Sequence, residues 1–107
     1  MELQKAKELA IELMIKHNLT DWRFEFDSAK RRFGCCFYQE KRITLSKHMV
    51  PLNSEEEVRD TILHEIAHAL TPGQHHNKVW KRKAIEIGCS GTRCYSDETT
   101  VAVKGNY

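Results

Sequence analysis

Ser54-Glu55-Glu56-Glu57-Val58-Arg59-Asp60-Thr61-Ile62-Leu63-His64-Glu65-Ile66-Ala67-His68-Ala69-Leu70 is the stretch on which the reading of the fold depends. Ser54 and Glu57 have the spacing of a capping box, the serine capping an N3 amide and the glutamate reaching back to the serine amide. Beyond them Val58, Ile62, Leu63, Ile66, Ala67 and Leu70 recur at helical spacing and cover most of the circumference, which predicts a helix inside the domain. Thr71-Pro72-Gly73 ends it. Two histidines and a glutamate on such a helix are costly to bury without partners.

The spacing supplies a partner. Residues four apart on a helix sit one above the other, so the imidazoles of His64 and His68 can reach one ion. Zinc accepts neutral imidazole nitrogen and prefers four ligands. Glu65 stands about 100° around the helix from His64, where it does not stack with the histidines but can address a water on the open position. This is an arrangement for hydrolysing a peptide bond, with Glu65 as general base. A catalytic zinc takes three protein ligands, so a third is required. Metzincin spacing would need glycine at 71 and histidine at 74, where the chain has Thr71 and Gln74. His75, His76 and Glu86 remain. His76 lies four residues before Trp80 and shares the face of Trp80, Ala84 and Ile87, so the expected metal set is His64, His68 and His76. His75 is rotated away from that face and Glu86 is off it. His17 and His48 are far from the motif.

Outward from this helix, residues 2–17 read as an amphipathic helix with Leu3, Ala6, Leu9, Ala10, Leu13 and Met14 on one face and Asn18 as its stop. Trp22-Arg23-Phe24-Glu25-Phe26 alternates with period two and reads as a strand with its aromatic residues inward. Phe33–Tyr38 and Arg42–Leu45 read as two further strands, turned by Gln39-Glu40-Lys41 without the usual Asn-Gly signal. A helix over Asn77–Ile87 with Gly88 at its C-terminus follows, and Thr99–Val103 reads as a short final strand. The expected fold is α+β, with an N-terminal helix, a small, mostly antiparallel three-stranded sheet, the motif helix and a following ligand-bearing helix. With 107 residues and no linker or repeat, residues 1–107 read as a single domain.

His64-Glu65-Ile66-Ala67-His68 followed by His76-Asn77-Lys78-Val79-Trp80 resembles the SprT-like metalloproteases, which include the Spartan-type DNA–protein-crosslink proteases. Members of that family show HExxH and then a histidine in an HGxxW-like pattern. The strand pair Cys36-Phe37-Tyr38 and Lys41–Ser46 resembles the segment that precedes the family's catalytic helix, and the resemblance runs over roughly residues 1–95. It implies a minimal zincin-like fold, one zinc per chain, endopeptidase activity and, for some members, proteolysis near DNA. Asn77 stands where the family has glycine. Many members continue into a zinc ribbon with two CxxC pairs; the expectation for this chain is the protease domain without one. Two other readings use the same residues: a non-catalytic zinc-binding, DNA-associated module, and an ImmA-type regulatory peptidase with Glu86 as ligand.

Composition narrows the partners. Apolar stretches are short, far below the ~20 residues a membrane span needs, and residues 1–8 carry charge where a signal peptide would be apolar. The expectation is a monomer in the cytoplasm, or associated with the nucleoid or nucleus, and not secreted. Cys35, Cys36, Cys89 and Cys94 then read as reduced structural thiols, with a metal site on them and a Cys89–Cys94 bridge formed on oxidation as the lesser readings. Seventeen basic against fifteen acidic residues give a net charge of +2, too mild by itself to mark a nucleic-acid binder. The run Lys78, Lys81, Arg82 and Lys83 beside the motif is the candidate for weak nucleic-acid contact, against the plainer reading of a solvated helix face. A protein or peptide substrate could add as an extra strand to a free edge of the hairpin over residues 33–46.

Overall fold

The computed structural model describes residues 1–73 and 77–89; His75, His76, Cys94 and the strand expected over 99–103 lie outside the described residues. The chain runs α1 (Leu3–Lys16), β1 (Arg23–Asp27), β2 (Gly34–Phe37), β3 (Arg42–Ser46), a 3-10 turn (Val50–Leu52), α2 (Glu55–Leu70) and α3 (Lys78–Glu86). Every helix and strand expected in this part of the chain forms, with ends within one residue of the reading.

Helix α1 buries Ala6, Ala10, Leu13 and Met14. It ends where Asn18 takes φ 65°, so that the Asn18 amide donates to the Ile15 carbonyl at 3.1 Å and the Leu19 amide to the Met14 carbonyl at 2.8 Å. Those two bonds form a Schellman cap, with asparagine in the left-handed position usually taken by glycine. Helix α2 is capped by the Ser54 hydroxyl, which accepts from the Glu57 amide at 3.2 Å. Val58, Ile62, Leu63 and Ile66 are at most 1% exposed, and each such side chain contributes roughly 1.5–3 kcal/mol by leaving water. Helix α2 packs on α1, on β2 and on α3, so the motif helix is the centre of the domain.

The sheet differs from the mostly antiparallel one expected. Its order is β1-β3-β2; β1 pairs with β3 in parallel and β2 pairs with β3 antiparallel. The physical reason lies in the connection over residues 28–33, which carries the chain across the end of the β3 position to the far edge. The hairpin then returns β3 into the gap. Its turn closes with the Lys41 amide donating to the Tyr38 carbonyl at 3.1 Å, and Lys41 itself takes φ 51°.

One carboxylate pins this crossing. Asp27 accepts from the buried Thr44 hydroxyl at 2.7 Å, from the Arg32 guanidinium at 3.0 Å and from the Ala29 amide at 3.0 Å. Burial alone would raise its pKa, but the bonds from Thr44, Ala29 and Arg32 outweigh it and hold the carboxyl below its ordinary value. Ser46 fixes the other side, donating to the Ala29 carbonyl at 2.6 Å. Asp27→Ala leaves the Thr44 hydroxyl buried without this acceptor and should cost about 2–3 kcal/mol. Urea unfolding at pH 7 measures it. Because the folded pKa is depressed, the difference from wild type should shrink as pH falls through that pKa. A loss too small to resolve would show that the crossing is held elsewhere.

Candidate active site

Helix α2 brings His64, Glu65 and His68 together in its last two turns. His64 and Glu65 are 1% and 2% exposed, while His68 is half-buried at the rim. The Nε2 atoms of His64 and His68 stand 3.2 Å apart. Two nitrogens bound to one tetrahedral zinc at about 2.0–2.1 Å would lie roughly 3.3 Å apart, so the pair has the separation that a shared ion requires. The Glu65 Oε2 lies 4.0 Å from His64 Nε2, and ligand atoms of all three residues fall within 4.8 Å of one another. The donor set and its spacing fit a divalent metal.

Trp80 forms the wall behind both imidazoles. It is fully buried, stacks on the His68 ring at 5.2 Å and 27°, and meets the His64 ring edge-on at 4.8 Å and 63°. Helix α3 is fixed at both ends so that Trp80 arrives there. Asn77 is its N-cap, with the side-chain oxygen accepting from the Trp80 amide at 3.1 Å. At the other end Gly88 has φ 105°, and the Cys89 amide donates to the Ala84 carbonyl at 2.8 Å. The asparagine that departs from the family pattern thus does local work, since asparagine caps a helix well.

Glu65 sits between α2 and β2. Its Oε2 is buried and has no hydrogen-bond partner among the described residues. Desolvation raises its pKa to about 8, with Arg32 pulling weakly the other way. Its field is felt across β2. Burial first, then the Glu65 charge, pushes the Cys36 thiol far up, and burial, Cys36 and Glu65 together raise the Tyr38 hydroxyl to about 12. Cys35 and Cys36 carry free thiols, and the Cys89 sulfur donates to the Asp60 carbonyl at 3.6 Å.

The structure assembles His64, Glu65 and His68 as the sequence reading expects, whereas His75 and His76 lie outside the described residues. Helix α3 follows as expected, but no ligand is shown on it. Glu86, the alternative third ligand, is turned outward: its side chain is 62% exposed and pairs with Lys83 at 3.0 Å. Lys78, Lys81 and Arg82 are exposed on α3. His48 is exposed on the surface and His17 belongs to the α1 cap. Sequence reasoning used Trp80 to define an inward face without seeing that the indole supports both imidazoles; an aromatic residue on the helix after the motif was the available signal.

A model of the SprT-like family matches residues 4–103. Among solved structures, the fold is similar to the metallopeptidase zymogen jannalysin of Methanocaldococcus jannaschii, with TM-score 0.70 and 22% identity over 90% of this chain and 92% of that one. It is also similar to the metallopeptidase zymogen abylysin of Pyrococcus abyssi, with TM-score 0.65 and 18% identity over 98% of both chains. A search of curated proteins finds no match.

The buried carboxyl makes the metal-free protein pH-sensitive. Between the unfolded pKa near 4.5 and the folded value of about 8, the folded state keeps a proton that the unfolded state has released, so stability falls as pH rises. Glu65→Gln should remove that slope, so the metal-free variant should gain stability relative to wild type between pH 5 and pH 8. Urea unfolding at pH 5 and pH 8 in the presence of a chelator tests this; an equal slope in both proteins would mean that Glu65 is not the group responsible.

Proposed function

The chain belongs to the SprT-like family, and from that premise we propose a zinc-dependent endopeptidase in which His64, His68 and His76 hold one zinc per chain and Glu65 handles the protons. The family's HExxH site is intact, and the protein is a metalloprotease of that type. The observation that carries the mechanism is the 3.2 Å Nε2–Nε2 pair with a buried carboxylate beside it on the same helix.

When bound, zinc polarises the scissile carbonyl and makes water a usable nucleophile near neutral pH. Glu65 accepts the proton of the attacking water and carries it to the leaving amine. Its apolar surroundings hold its pKa near the working range of a general base, while a dication on the histidines favours its ionised form. Trp80 keeps the two imidazoles from rotating and shields them on one side. The substrate peptide lies along β2, which the order β1-β3-β2 leaves at the sheet edge beside α2. Pairing there supplies main-chain hydrogen bonds with little side-chain selectivity. Flexible or unfolded proteins, including those on DNA, are the proposed substrates. A non-catalytic zinc module gains nothing from a carboxylate buried at such cost, and an ImmA-type site would need Glu86, which faces solvent and Lys83.

Glu65→Gln should retain zinc and lower proteolysis of an unfolded protein substrate by about 10²–10⁴; wild-type cleavage by this variant would place the base elsewhere. His76→Ala should sharply weaken zinc binding in a chelator competition, where His75→Ala should not; the reverse order would move the ligand to His75. For nucleic acid, Lys81→Glu with Arg82→Glu should abolish low-salt binding of single-stranded DNA, because such contact rests on phosphate charge. If the wild-type protein shows no binding at low salt, these side chains are a solvated face.

A further inference from the structure

We propose that Gly34 is a positioning residue for Glu65, holding open the space in which the stem of the catalytic carboxylate lies. The inference rests on the metalloprotease reading above. Gly34 is the first residue of β2, is buried, and pairs with Leu45 in the antiparallel ladder. Its backbone is extended and outside the left-handed region, so conformation does not demand glycine there. A glycine inside a strand weakens it by roughly 0.5–1 kcal/mol, and the compensation is spatial.

A Cβ at this position would meet the Leu45 Cδ2 at 3.1 Å, the Thr44 carbonyl oxygen at 3.1 Å and the Glu65 Cγ at 3.3 Å. The Thr44 oxygen belongs to the central strand, which is paired on both sides and does not yield. Leu45 is fully buried in the core. Held off by these two closer contacts, an added Cβ is pushed toward Glu65, and any shift of the Glu65 Cγ swings the carboxylate that must reach the water. Helix α2 packs on β2, and the Gly34 side of that strand comes against the Glu65 stem, so it is the floor under the catalytic side chain. Gly34 has no side chain to offer metal or substrate; its effect on the chemistry runs through Glu65.

The test is a double-mutant cycle on the zinc-loaded protein, with kcat and KM measured on a flexible protein substrate for wild type, Gly34→Ala, Glu65→Gln and the pair. Gly34→Ala should lower kcat about tenfold to a hundredfold, the scale of a small misplacement of a catalytic group. KM and zinc content should stay at wild-type values. In the Glu65→Gln background the same substitution should add less than about a twofold further loss, since it has no base left to displace. A metal-free crystal structure of Gly34→Ala should show the Glu65 carboxylate moved from its 4.0 Å position beside His64, with the histidine pair still 3.2 Å apart. Should Gly34→Ala fail to fold, adding Leu45→Val removes the Cδ2 contact, and the refolded protein should still show the kcat loss. An unchanged kcat in a folded variant, or an equal loss in both backgrounds, overturns the positioning role alone. Wild-type proteolysis that is indifferent to Glu65→Gln overturns the metalloprotease reading and this inference with it.

Discussion

One imidazole and a carboxylate are buried, and a second imidazole half-buried, on a helix whose other inward residues are mostly apolar, and most of the structure follows from accommodating them. A buried polar group without a partner costs roughly 2–7 kcal/mol, about what one or two of the fully buried α2 side chains contribute by leaving water. The chain keeps these groups where the rest of α2 supplies the apolar burial: Val58, Ile62, Leu63 and Ile66 are all buried, and the helix packs on α1, α3 and the sheet. The 3.2 Å separation of the histidine nitrogens is the local form of the constraint. It suits a shared cation and leaves Glu65 beside it as the group that moves protons.

The surrounding elements each fix one degree of freedom of that site. Helix α3, capped by Asn77 and closed at Gly88, sets Trp80 against both rings. Strand β2 sets the floor under Glu65 through Gly34. The Asp27 carboxylate, bonded to Thr44, Ala29 and Arg32, holds the crossing that delivers β2 to the sheet edge. Arg32 also reaches the electrostatics of Glu65, so the loop that shapes the sheet touches the site's charge balance as well.

The helices were legible because their signals are local. Ser54 at an N-cap, Asn18 and Gly88 as stops, and apolar residues at helical spacing all act within a few residues. The pairing of His64 with His68 was legible for the same reason, since four residues along a helix fix the distance. Sheet order was not legible: a parallel β1–β3 pair depends on where the residue 28–33 crossing travels, and no residue there carries a pairing signal. The role of Gly34 was hidden because it depends on a contact with Glu65, thirty-one positions away. A glycine opening a run of Cys, Phe and Tyr in a strand was the only trace.

The account is tested most directly by zinc K-edge X-ray absorption on protein purified without chelators. It predicts one zinc per chain with nitrogen and oxygen nearest neighbours only, at about 2.0–2.1 Å, and imidazole scattering from three histidines. Metal content well under half an equivalent with no uptake of added zinc would contradict it, as would sulfur neighbours at about 2.3 Å, which would place the metal on the cysteines.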